Sequence, residues 1–142
     1  MYPIHSAARA AQLYGAAAGP SSLQELVEVH AGMIDKLAEA RGAIAAGQVE
    51  ARLDATRKVA AVVEVLHMSL DHERGGEIAG NLERLYLYFT KRLCDINIKN
   101  DPAICDELMA RLAELRDGWR EVATGRDAPA TAGADFAASL SA

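Results

Sequence analysis

Aromatic side chains are scarce in this 142-residue chain: one tryptophan, four tyrosines and two phenylalanines, 5% of the whole. Sheets draw their cross-strand packing from aromatic and β-branched residues. Here Ala and Leu set the tone, and both favour helix. Cysteine is thin as well. Cys94 and Cys105 are neither closely spaced nor joined by a cluster of metal-binding residues, which argues against a disulfide framework or a zinc module and leaves two small apolar side chains. No stretch approaches the ~18 consecutive apolar residues of a membrane span. The opening Met1-Tyr2-Pro3 lacks a basic segment followed by an apolar one, so a cytoplasmic location is expected. Nor is there a basic run. With a net charge of −5 and a pI near 5.3, the surface field repels polyanions and makes nucleic acid a poor partner.

What the chain does have is helical periodicity. Its length suits one domain, organised as an arm over residues 1–20, a four-helix bundle over 21–123 and a flexible tail over 124–142. The arm is rich in Ala and Gly and carries a short helical stretch with Leu13 and Tyr14. Ser22-Leu23-Gln24-Glu25 is a capping box that starts the first long helix, which runs to about Ala46 and stops at Gly47. Leu23, Leu26, His30, Met33, Ile34, Leu37 and Ile44 make its buried stripe. The second helix is predicted from Gln48 to His72, with Gly75-Gly76 closing it. The third begins near Glu77 and reaches Ile98, burying Ile78, Leu82, Leu85, Tyr86, Phe89, Leu93 and Ile96. Asp101-Pro102 opens the fourth, an N-cap followed by proline at the first helical position, with Ile104, Leu108, Leu112, Leu115, Trp119 and Val122 inside. Four helices of this length on short turns form an all-α antiparallel bundle. The tail holds too little apolar bulk to offset the entropy of ordering, Phe136 and Leu140 being its only large apolar side chains.

Two helices carry more hydrophobic surface than a bundle uses. On the second, Val59, Val63, Leu66 and Leu70 suffice for the core, and Ala61, Val65 and Met68 are left facing the other way. On the third, Gly80, Leu87 and Cys94, seven apart, line the face opposite Leu82, Leu85 and Phe89. Such a surplus needs a cover: a partner chain, a second copy or the N-terminal arm. Met and Leu on a helical surface suit a groove that receives an amphipathic helix.

Chemistry finds no foothold. Glu64 and His67 form one Glu-x-x-His pair, whereas a di-iron carboxylate site needs two such pairs and two further Glu residues. Gly75 to Gly80 has no Lys-Ser/Thr after it and no strand before it, so it is not a phosphate loop. His67, Ser69 and Asp71 lie close in sequence on one helix, but their spacing makes no nucleophile–base chain. No catalytic residue, metal or cofactor is expected.

The segment Leu70-Asp71-His72-Glu73-Arg74-Gly75-Gly76-Glu77-Ile78-Ala79-Gly80-Asn81-Leu82-Glu83-Arg84-Leu85-Tyr86-Leu87-Tyr88-Phe89, continued by Arg92-Leu93-Cys94-Asp95-Ile96-Asn97-Ile98-Lys99-Asn100-Asp101, resembles the central signature of the flagellar export chaperone family FliS. Trp119 and Tyr14 fall where that family has a tryptophan and an N-terminal tyrosine. The first helix departs from its pattern, keeping only a Ser at Ser21-Ser22 and the Gly of His30-Ala31-Gly32, as in a divergent member. The resemblance implies a cytoplasmic four-helix bundle that binds the C-terminal segment of flagellin, prevents its premature polymerisation and docks at the export gate component FlhA. It also marks Tyr14, Asn81, Leu85, Tyr88 and Asn97 as partner-binding positions, beside Ala61, Val65, Met68, Gly80, Leu87 and Cys94 from the surplus stripes. The protein is then a monomer or weak homodimer. The alternative reading is a homodimeric helical-bundle regulatory or adaptor protein with no export role, its stripes forming an isologous interface.

Overall fold

The computed structural model describes residues 22–124; the arm with Tyr14 and nearly all of the expected tail lie outside them. The described chain folds into four helices: α1 Leu23–Ala46, α2 Val49–Met68, α3 His72–Lys99 and α4 Pro102–Ala123. Local chemistry sets most boundaries. The Ser22 hydroxyl accepts from the Glu25 N–H at 3.0 Å and caps α1. Gly47, at φ 69°, ends it in the left-handed conformation that costs glycine nothing. The Asp101 carboxylate accepts from the Ala103 N–H at 2.9 Å, and Pro102 stands in the first turn of α4.

One boundary differs from expectation. The second helix ends at Met68 rather than His72, and Gly75-Gly76 belongs to the start of α3. Asp71 decides this. Its backbone is extended and its carboxylate accepts from the Arg74 N–H at 2.9 Å, so it caps a new helix and the old one cannot pass through it. Gly76 then kinks α3 after one turn, at φ 56° and ψ −132°, a conformation nearly closed to residues with a Cβ.

Within the bundle α1 packs against both α2 and α4, most extensively on α4, and α3 joins α2 to α4 on the far side. Helices this long on two- or three-residue turns must double back. The α2–α3 pairs show it: Arg52, early in α2, bonds to Asn97, late in α3, while His67, late in α2, meets Glu83 in the first half of α3. The core fills as the stripes predict, with Leu26 and Leu37 from α1, Val63 and Leu66 from α2, Leu85, Tyr86, Phe89 and Ile96 from α3, and Leu108, Leu112 and Trp119 from α4.

His30 occupies a core position of α1 and is completely buried. Its Nδ1 lies 2.8 Å from the Leu26 carbonyl oxygen and donates to it. Burial pushes the imidazole down to about 4; the Leu26 bond opposes the shift and Arg116 adds to it. Folded protein therefore carries His30 neutral where the unfolded chain protonates it. The stabilisation is complete above the ordinary value of 6.5 and fades as pH falls toward 4, a swing of about 3 kcal/mol for a shift of this size. Urea unfolding at neutral and acid pH should show His30→Leu gaining on the wild type by about 2 kcal/mol as the medium is acidified. A gap that stays constant with pH would contradict the neutral buried imidazole.

Candidate partner-binding face

Five large hydrophobic side chains stand exposed among the described residues, and all belong to α2 and α3: Val49, Val65, Met68, Leu87 and Ile98. The other two helices have none, because each buries a single stripe and turns charge outward. Met68 and Ile98 are the barest, at 76% and 78% exposure, well beyond the scattered half-buried apolar residue that any surface tolerates. Val65, Met68 and Leu87 were expected from the surplus stripes. Val49 and Ile98 were not, although Ile98 continues the row of Leu87 and Cys94 by one further turn.

Because α2 and α3 run in opposite directions, Val49 and Ile98 mark one end of their seam and Met68 lies toward the other. Between the ends runs an open groove of about 200 Å³, lined by Leu53, Thr56, Arg57 and Ala60 from α2 and by Thr90, Leu93, Cys94 and Asn97 from α3. Small residues keep it shallow. Ala61 is exposed beside it, and a Cβ built on Gly80 meets nothing within 4 Å. No neighbour in the described chain therefore demands glycine at that position, which costs ~1 kcal/mol of helix propensity relative to Ala.

The positions suggested by the family resemblance divide differently. Leu85 is fully buried in the core and is not part of the exposed face: it lies two residues, some 200° of helix, from Leu87. The Tyr88 hydroxyl donates to the Glu107 carboxylate of α4, which also receives Arg92 Nε at 3.1 Å. Burial first, then that bond, raises the phenol above its ordinary value. Asn81 accepts from Arg84 one turn along. Asn97 lines the groove and also ties the helices together, accepting from Arg52 Nε at 3.0 Å and donating to Thr56 Oγ1 at 3.0 Å. Its replacement by Ala should cost about 1–2 kcal/mol in urea unfolding, whereas a role confined to partner contact would leave stability unchanged.

The polar groups at the Met68 end face one another. His67 and His72 reach the same oxygen of Glu83, at 3.2 and 3.3 Å, and Glu64 is exposed. Among the described residues no group of three His, Cys, Asp or Glu is arranged to hold a metal ion, and no helix is long and apolar enough to cross a membrane. Cys94 is an exposed free thiol. Cys105 is buried, and burial raises its thiol.

A bundle whose exposed large hydrophobics, among the described residues, lie on two helices with a groove between them can serve many roles, and comparison with known proteins narrows them. The family described as flagellar protein FliS matches residues 5–126. The chain belongs to the FliS family. Among curated relatives, the flagellar secretion chaperone FliSB of Pseudomonas aeruginosa is 42% identical over 88 residues, 62% of this chain and 70% of the relative. The flagellar secretion chaperone FliS of Salmonella typhimurium is 33% identical over 106 residues, 74% of this chain and 77% of its own length. That of Vibrio cholerae is 27% identical over 106 residues, covering 75% and 76%. These FliS relatives are named for chaperoning secretion, which turns attention from chemistry to the α2–α3 face.

Proposed function

We propose that this chain is a cytoplasmic flagellar secretion chaperone that holds the C-terminal segment of flagellin along the α2–α3 face. The observation that carries the reading is the confinement of every exposed large hydrophobic among the described residues to these two helices, with a groove between them. A face of this kind fits an amphipathic helix. The mechanism is competitive cover: the chaperone occupies the apolar stripe that flagellin would bury against its neighbours in the filament, and release exposes it again. Binding alone accomplishes this, without turnover or cofactor. Because the client segment loses conformational freedom on binding, affinity rests on many modest contacts and falls below what the buried area suggests. Delivery follows by docking at the export gate, for which the family resemblance points to FlhA.

Isothermal titration of the purified chain with the C-terminal segment of its own organism's flagellin tests the reading. One-to-one binding supports it. A folded chain that shows no heat of binding overturns it, and a stable dimer in light scattering would then favour self-association through the same face.

A further inference from the structure

The groove between α2 and α3 takes its apolar lining from Leu53, Ala60, Leu93 and Cys94. Its three neutral polar side chains already hydrogen-bond within the chain. The Thr56 hydroxyl donates to the Arg52 carbonyl at 3.0 Å, the Thr90 hydroxyl donates to the Tyr86 carbonyl at 3.0 Å, and Asn97 is held by Arg52 and Thr56. The one charged lining residue is Arg57. Among the described residues no carboxylate lies within ion-pair distance of it. One turn away along α2 stand Leu53, Asp54, Ala60 and Ala61, and Asp54 is paired with Lys58 at 3.1 Å. Two other cations near the seam are committed: Arg52 bonds to Asn97 and Asn100, and Lys91 bonds to Asp95 at 3.2 Å. An arginine with five donors and, among the described residues, no acid partner thus lines a groove whose other polar side chains are already bonded.

The geometry points to Arg57 as the residue that reads the docked segment: the occupant is an amphipathic helix with an Asp or Glu at the border of its apolar face, and Arg57 pairs with that carboxylate and sets the register. This rests on the α2–α3 face being the site of the flagellin segment and adds to it a charge requirement. An apolar stripe on a helix face constrains sliding weakly, because a shift of one heptad presents a similar surface. A single charge pair at the edge of a groove penalises every shifted register, since each leaves a partly desolvated ion without its partner.

The test is isothermal titration of the full chain, wild type and Arg57 variants, with the C-terminal segment of flagellin at low and high salt. Arg57→Ala should weaken binding about three- to tenfold at low salt, the range of a partly desolvated charge pair, and should flatten the salt dependence. Arg57→Lys should retain most of the affinity. Arg57→Glu should bind weaker still and be restored by one acidic-to-lysine replacement in the segment. Arg57 is exposed, so thermal unfolding of these variants should match the wild type. If Arg57→Ala and Arg57→Glu bind as the wild type does, with the same salt dependence, while Val65→Asp and Leu87→Asp weaken binding, the charge requirement is wrong and the face stands. If the wild type does not bind the segment, both readings fall.

Discussion

Val65→Asp and Leu87→Asp should each weaken binding of the flagellin segment about thirtyfold or more, the effect of forcing an unpaired carboxylate into an apolar contact at the centre of an interface. Their exposures of 47% and 52% in the free chain mean that the carboxylate is solvated until a partner arrives. Stability should therefore stay within about 0.5 kcal/mol of the wild type. The two residues sit on different helices, so loss of binding by both places the client across the seam rather than on one helix alone. Titration calorimetry beside thermal unfolding separates the two quantities. A variant that binds normally takes its side chain out of the interface. If both bind normally, the α2–α3 face is not where the client sits. The paired loss of affinity at unchanged stability is the result that a core position cannot imitate.

Leu85 provides the contrast. It is fully buried, in a core shared with Tyr86 and Phe89, and Leu85→Ala should cost about 2–5 kcal/mol through lost burial and the cavity left behind. In a domain of this size that is a fall of roughly 10 °C or more in melting temperature. Leu87→Ala, two residues along the same helix, should leave the melting temperature nearly unchanged. Differential scanning calorimetry of the two variants checks the rotational setting of α3 directly. Equal losses would mean that Leu87 is buried and that the outer row is not a surface. A small loss at Leu85 would mean that the helix is turned away from its assigned core.

The exposed face was legible to the extent that periodicity reports it. Val65, Met68 and Leu87 follow from counting: once a helix has a sufficient core stripe, apolar residues on its opposite side have no partner within the bundle. Leu85 entered as a binding position through family resemblance, while its own spacing placed it with Leu82 and Phe89 in the core. Its complete burial agrees with the spacing. Asn97 and Tyr88 were harder to read because their partners, Arg52 and Glu107, are 45 and 19 residues away. No local pattern shows that a polar side chain will bond across helices rather than to a client. Nothing in the sequence singles out Arg57, because an exposed arginine on a helix is ordinary. Only the neighbouring helix shows that it lines a groove and that no acid among the described residues is within ion-pair distance.

Sequence alone determined the elements of this fold and which face of each is buried. Caps such as Ser22 and Asp101, the terminator Gly47 and the stripes of Leu, Ile and Val act over one or two turns, and hydrogen bonds and burial at that range are encoded in adjacent residues. At the turn between α2 and α3 the sequence pattern favours Gly75-Gly76 as the terminator of α2, and the Asp71 cap overrides it. Tertiary structure decided that boundary, because the cap geometry and the burial of Leu70 and Gly75 act together. It also decided which faces of α2 and α3 meet, that a groove opens between the two helices, and that its neutral polar lining is already engaged. Those properties belong to the pairing of helices, and a pairing is set by the sum of many core contacts between residues far apart in the chain.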